Sequence, residues 1–385
     1  MPRCFEPPTR LLMGCGPAEL SPRVLAATAR PPLGRSDPAW AALSDEVRGL
    51  AARAFRAPDH AGLVLPGSGT AAAEAALLSL LEPGDVAVVA VNGLFSARLA
   101  TIAERAGAEV VRVEHPWGRP VDAERVEAAL WARGAKLLAF AQAETSTGVR
   151  SDPAVLCALA REHGALSVVD CVSALGGIAV DAAEWDADLL YAAPDRCLSA
   201  PSGTALLAVG RGAGQALAAR RSAPVSWLHD LSRAMAGEDG DEPTAPAHAV
   251  YGLHEALLAL FEEGLEAAIT RHRRMHEALA AGAAALGLNQ PVAPERRLPQ
   301  VVVLTVPEGV DAARVVARMR ERFGVEIGPG LGPTRGRVWR VGLMGAAATP
   351  RHVRAALVAL ADALAEQAHP GSVRDALVAA DAVLV

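Results

Sequence analysis

Residues 66–91 read PGSGTAAAEAALLSLLEPGDVAVVAV. The first five residues are small and turn-forming. Ala71–Leu81 is then free of Gly and Pro and rich in helix formers, and Pro83-Gly84 stops it. The run Val86–Val91 that follows is wholly apolar, as a strand buried on both faces requires. Turn, helix, turn and buried strand form the repeating unit of an α/β architecture.

The same rhythm continues along the chain. Strand-like runs occupy Glu109–Val113, Lys136–Gln142, Leu166–Asp170, Asp188–Ala192 and Thr204–Val209. Helical patterns fall between them at Ser96–Ala106, Ala123–Arg133 and Pro153–His163. This alternation predicts a mostly parallel sheet wrapped by helices. Residues Leu231–His248, with the stretch GEDGDEPTAPAH, read as a polar loop, and one long helical stretch runs from Ala249 to about Leu286. NQPVAPERRLP reads as a linker. Beyond it lie a strand at Gln300–Val306, a helix at Ala312–Arg322, a strand at Val338–Gly342 and a helix at Arg351–Glu366, a compact α+β module. Ser372–Val385 is apolar enough for a short docking helix. The predicted organisation is an arm (1–20), a large α/β domain (21–285), a small C-terminal α+β domain (286–368) and a tail (369–385).

Composition narrows the function. The chain has 385 residues and a net charge of −6, with no basic stripe of the kind that binds nucleic acid. No apolar run is long enough to span a membrane, and the first residues lack the apolar core of a signal peptide. A cytoplasmic location is expected. The five cysteines are odd in number and show no CxxC spacing, which argues against a disulfide framework or a zinc site. Of the 37 basic residues, the only lysine is Lys136.

Four motifs carry chemistry. Pro66-Gly67-Ser68-Gly69-Thr70 precedes a helix, where free amides and hydroxyls attract an anion; an ordinary capped turn is the plainer reading. Val168-Val169-Asp170 ends an apolar strand in a carboxylate, placed to pair with a cationic ring nitrogen or to cap a turn. Glu144–Gly148 follows the strand ending at Gln142 and clusters hydroxyls at the same sheet edge. Arg340 lies inside an apolar strand; its planar fork suits a substrate carboxylate, and a structural salt bridge is the alternative.

The segments GSGTAAAEAALLSLLEPGD, VNGLF, ETSTGV, VVDCVSALGG, APSG and GLGPTRGRVWRVGLMG resemble, in order, the alanine–glyoxylate/serine–pyruvate (class V) aminotransferase family over residues 10–368. The resemblance implies the pyridoxal-phosphate (PLP) fold type I, with a seven-stranded, mostly parallel sheet in the large domain. It implies that Ser68, Gly69 and Thr70 hold the cofactor phosphate, that Phe95 stacks on the pyridine and that Thr145 lies near its phenolic side. Asp170 would pair with the ring nitrogen, Val172 back the ring and Arg340 hold a small anionic substrate by its carboxylate. It also implies a homodimer, with Thr244 matching a phosphate contact supplied by the partner chain.

At one place the pattern breaks. Where the family carries Ser-Gln-Lys, this chain has Pro194-Asp195-Arg196, so Arg196 stands at the Schiff-base lysine position. Asp195 would repel a phosphate, and the family's partner-chain tyrosine aligns on Asp241. Lys136 opens its strand, about 20 Å from the end where ligands bind, and cannot substitute. Cys197, beside Arg196, is a possible nucleophile if its pKa is lowered, as are Cys15 and Cys171; the alternative is a small buried residue. The expected function is an enzyme of aminotransferase ancestry acting on a small amino-acid-like or 2-oxo-acid-like substrate without an internal aldimine. Pyridoxal or pyridoxamine phosphate would bind non-covalently or not at all. A non-catalytic partner subunit and a residual transaminase using bound pyridoxamine phosphate are the alternatives.

Overall fold

The apolar runs form the centre of a seven-stranded sheet. The structure, a computed structural model, describes residues 4–236 and 245–384. In chain order the strands are β1 (Leu11–Met13), β2 (Ala61–Gly67), β3 (Val86–Val91), β4 (Glu109–Glu114), β5 (Leu137–Ala141), β6 (Ala143–Glu144), β7 (Val149–Arg150), β8 (Leu166–Asp170), β9 (Leu189–Ala192), β10 (Gly203–Val209), β11 (Val301–Thr305), β12 (Val325–Pro329) and β13 (Val338–Gly342). The helices are α1 (Pro22–Thr28), α2 (Pro38–Ala54), α3 (Gly69–Leu80), α4 (Leu94–Arg105), α5 (Ala123–Arg133), α6 (Pro153–Glu162), α7 (Ala182–Trp185), α8 (Arg211–Ala218), α9 (Leu231–Ala236), α10 (Ala247–Glu263), α11 (Leu265–Ala285), α12 (Ala312–Phe323), α13 (Pro350–Ala365) and α14 (Val373–Leu384).

The large sheet has the order β2-β10-β9-β8-β5-β3-β4. Strands β4, β3, β5, β8 and β9 run parallel, while β10 is antiparallel to both β9 and β2. Side chains alternate across this sheet with period two. Val88, Leu138, Phe140, Val169, Leu190 and Leu206 pack into one core, and Val89, Leu137, Ala139, Val168, Leu189 and Leu207 into the other. Helices cover both faces, which is why β5 is buried along its whole length. Local signals fix the helix ends: the Asp122 side chain caps α5 by accepting from the Glu124 and Arg125 amides, and Gly134 ends it at φ 57°.

A second, four-stranded sheet has the order β1-β12-β13-β11. Its core holds Met13, Met275, Leu279, Leu304, Met319, Trp339 and Leu357. Strand β1 brings the N-terminal arm into it, pairing Leu11 with Val325 in parallel. Helix α14, at the position expected for a docking helix, contributes Ala376 and Ala380 to the same core.

The structure corrects two readings. Leu231–Ala236 is a helix rather than the start of a loop. The stretch after residue 246 is two helices, because Gly264 adopts φ 90° and cannot continue α10. Among the described residues no helix is long and apolar enough to cross a membrane.

Packing in the second core makes a direct prediction. A Cβ on Gly282 would lie 2.3 Å from Leu357 Cδ1, so α11 and α13 meet without slack, and Leu357 is fully buried. Leu357→Ala should lower the unfolding free energy by about 2–5 kcal/mol. A urea midpoint unchanged from the parent would overturn this packing account.

Candidate active site

Ligands of open α/β sheets sit beyond the C-terminal ends of the parallel strands. Here β3, β5 and β8 all end at the same edge, and the segments leaving them build the site.

The connection after β3 is locked to the one after β5 by Glu144. This carboxylate is fully buried. One oxygen accepts from the Phe95 amide (3.1 Å), the Ser96 amide (2.9 Å) and Ser96 Oγ (3.1 Å). The other accepts from the Ser146 amide (3.1 Å) and Ser146 Oγ (2.6 Å). Two orphan amides in the first turn of α4 are thereby satisfied by a charge that the helix dipole favours. Gly93 makes the approach possible, since a Cβ there would lie 2.4 Å from Glu144 Cγ. Phe95 and Thr145 are held in place as a result.

The turn before α3 lies alongside. Ser68 occupies the N-cap position with no side-chain capping bond, which leaves the first amides of α3 available. Gly69 permits contact with the next wall: a Cβ there would be 2.6 Å from Val172 Cγ2. Thr70 Oγ1 accepts from Arg98 Nη1 at 3.0 Å, and the Arg98 guanidinium carbon lies 5.2 Å from the Phe95 ring centroid. Phe95 and Arg98 are three residues apart on α4 and so share a face.

Asp170 ends β8, paired across the sheet with Ala141 and Tyr191. Its Oδ1 accepts from the Val172 amide at 2.8 Å. Burial pushes its pKa up to about 6, against the pull of that bond and of Arg196. Tyr191 is fully buried and kept protonated by burial and by the charge of Asp170. Its hydroxyl lies beside Asp170 yet meets no partner at hydrogen-bond geometry.

Arg196 lies in the connection between β9 and β10. Its Nη1 is 2.6 Å from Asp195 Oδ1 and donates to the Asp195 carbonyl at 3.2 Å. Ser202 Oγ donates to the other Asp195 oxygen at 2.7 Å. The guanidinium lies flat against Gly16, where a Cβ would be 2.3 Å from Cζ; Gly16 has φ 111°. The Ala18 amide donates to the Asp195 carbonyl at 2.9 Å, so the N-terminal arm is seated on this pair.

These elements enclose a cavity of about 170 Å³. Ser68, Gly69, Thr70, Phe95, Thr145, Asp170, Val172 and Arg196 all line it, as does Cys15. Arg340 stands behind the wall. It is 6% exposed, Nε donates to the Pro329 carbonyl (2.9 Å) and Nη1 to the Thr145 carbonyl (3.3 Å). It forms no ion pair among the described residues, so the structural salt bridge offered as an alternative is not there. Asp195 and Cys197 lie outside the lining. Burial pushes the Cys197 thiol up to about 12, against the pull of Arg196, and its Sγ sits 3.5 Å from the Ser173 carbonyl. These surroundings are those of a small buried residue, not of an activated nucleophile. Cys15 and Cys171 are likewise raised by burial. Thr244 and Asp241 lie outside the described residues.

The architecture, with a carboxylate at the end of β8 and a glycine turn opposite an aromatic ring, has clear relatives. Residues 35–359 match the family model for aminotransferase class V. The chain belongs to this family. It is 37% identical over 364 residues to the alanine–glyoxylate aminotransferase of Callithrix jacchus, covering 93% of this chain and 88% of that one. The solved ureidoglycine–glyoxylate aminotransferase of Bacillus subtilis superposes with TM-score 0.96 at 32% identity, covering 99% of this chain and all of that one. The solved pyridoxamine–pyruvate aminotransferase of Mesorhizobium loti does so with TM-score 0.91 at 28% identity, covering 98% and 97%. The fold is therefore that of the PLP type I aminotransferases.

Within this class V site, sequence reasoning missed Arg98, Tyr191 and the role of Glu144. Arg98 was detectable from its three-residue spacing to Phe95. Tyr191 sits in a buried strand like any core residue until its register with Asp170 is known. The cavity suits a planar ring: it offers a carboxylate, the buried Tyr191 hydroxyl beside it and a glycine at the closest wall. Among the described residues its lining has no primary amine. The chain's lysine, Lys136, precedes β5 at its far end, and its Nζ lies 2.6 Å from Asp85 Oδ2.

The raised Asp170 pKa has a stability consequence. The native state holds this proton more tightly than the unfolded chain, whose carboxyl titrates near 3.8. Its contribution is present below that value and is lost as pH rises towards about 6. Asp170→Asn should flatten this part of the pH–stability curve, measured by denaturant unfolding at several pH values. Identical slopes in parent and variant would refute the assignment.

Proposed function

We propose that this class V aminotransferase homologue acts on a small carboxylate substrate without covalent attachment of a cofactor, and that Arg196 occupies the position of the family's Schiff-base lysine. The observation that carries the reading is the guanidinium of Arg196 in the cavity wall, fixed by Asp195 and Gly16. Attack on an aldehyde needs a neutral amine. With a pKa of roughly 12.5–13.8, an arginine is neutral at pH 7 in about one molecule in a million or fewer. Lys136 is committed to Asp85 and lies at the wrong end of β5.

Pyridoxal or pyridoxamine phosphate, when bound, would supply an electron-withdrawing ring. The α3 amides with Ser68, Gly69 and Thr70 would hold its phosphate, and Asp170 its ring nitrogen. Phe95 and Val172 would flank the ring, with Thr145 at its edge. Arg340 would take the substrate carboxylate; its lack of an acidic partner among the described residues supports this, because a buried guanidinium without a counter-charge is costly. We also propose a homodimer, in keeping with the exposed apolar side chains of Val225 (83%) and Trp227 (59%).

Spectra of the purified protein with added pyridoxal phosphate, before and after borohydride, test the reading. Saturable binding that borohydride does not trap is the expected result. A borohydride-stable adduct in the cavity would overturn it. Absence of any spectral change would remove the cofactor from the proposal and leave carboxylate binding alone.

A further inference from the structure

Among the described residues, the cavity lining carries three charged side chains: Arg98, Arg196 and Asp170. Two of them are answered within the protein. Arg196 is paired with Asp195, and Asp170 accepts from the Val172 amide while burial favours its neutral form. Arg98 has no acidic partner among the described residues, and it reaches the cavity from an exposed position on α4. Its Nη1 donates to Thr70 Oγ1 at 3.0 Å. Thr70 is the second residue of α3, so this cation is tied to the positive end of a helix. A cation is disfavoured there, because the helix dipole and the first-turn amides present like charge. The Ser68 side chain does not cap those amides. Two sources of positive charge thus converge on one hydroxyl. Thr70 Oγ1 accepts from Arg98 and keeps its own proton to donate.

We propose that Arg98 is a phosphate-binding residue, which supplies the counter-charge for a phosphate monoester dianion on the α3 turn and shares the Thr70 hydroxyl with it. This role rests on the reading that Ser68, Gly69 and Thr70 hold a cofactor phosphate. Backbone amides and hydroxyls bring partial charges, whereas a guanidinium brings a full one, and its charge-assisted bonds are roughly twice as strong. Of the two lining cations, Arg98 is the one bonded to that turn; Arg196 is turned to Asp195. Asp195, the acid that would repel a phosphate, lies outside the lining, while Arg98 is part of it. The ligand class that follows is a phosphorylated ring, because the dephosphorylated ring lacks the group that Arg98 holds. A structural role is the rival, since the Arg98 guanidinium also lies 5.2 Å from the Phe95 ring centroid. Loss of a structural support would weaken both forms of the ring alike.

The test is isothermal titration with pyridoxamine phosphate and with pyridoxamine, neither of which carries an aldehyde that an amine could attack. The parent should bind the phosphorylated form about tenfold or more tighter. Arg98→Gln keeps a donor for Thr70 and removes the charge. It should weaken pyridoxamine phosphate by about tenfold and leave pyridoxamine within about twofold of the parent. Arg98→Lys keeps the charge and should hold the preference within about threefold of the parent, a second readout if Arg98→Gln melts early. Three results would overturn the role of Arg98 and leave the phosphate reading of the α3 turn standing: a preference that survives Arg98→Gln, an equal loss for both ligands, or a loss in Arg98→Lys as large as in Arg98→Gln. A parent that binds the two ligands equally, or binds neither, would overturn both.

Discussion

One buried carboxylate organises the site. Glu144 accepts five hydrogen bonds from Phe95, Ser96 and Ser146, and so joins the start of α4 to the connection after β5. Helix α4 then fixes the directions of Phe95 and Arg98. The loop that Glu144 begins fixes Thr145, whose carbonyl holds Arg340 from the second sheet. Glu144 is thus one link between two sheets with separate cores; the Gln300 side chain, donating to the Ser173 carbonyl at 2.6 Å, is another. Deleting Glu144 would leave amides buried without acceptors, each costing about 1–3 kcal/mol. The effect would be felt on both sides of the cavity.

The charges around the cavity follow a similar logic. Asp170 is buried, and a lone carboxylate there resists ionisation until a cation approaches; its pKa near 6 expresses that demand. Arg196 pulls that pKa down, yet its guanidinium is turned to Asp195. Arg340 is buried and, among the described residues, bonded to carbonyls. The cavity therefore places the buried Asp170 carboxyl and the Arg196 guanidinium in one lining, with Arg340 behind it.

The sequence made the large sheet legible wherever the signal is local. Val86–Val91 and Leu166–Asp170 appear as strands with the bounds their apolar runs suggest, and Ala123–Arg133 as a helix between its Asp cap and its Gly stop. Strand β12 escaped because VEIGP is too short to show a period and gains its meaning from Leu11 and Arg340, both far away in the chain. The break at Gly264 escaped because one glycine in an amphipathic pattern is tolerated as often as it terminates. In the site, Asp170 and the glycine turn were legible as residues at strand and helix ends. Arg98, Tyr191 and the acceptor role of Glu144 depend on which strands become neighbours.

Arg196 sits in a built seat. Gly16 leaves room for the flat face of the guanidinium and adopts a backbone angle that other residues rarely take. Asp195 faces one edge and is itself oriented by Ser202. The arm returns to the same place through the Ala18 amide. A lysine placed here would meet a carboxylate already oriented to hold a cation, which keeps an amine protonated and opposes nucleophilic attack. A reactive amine at this position would therefore call for changing Asp195 as well, because a carboxylate beside a base favours its protonated form.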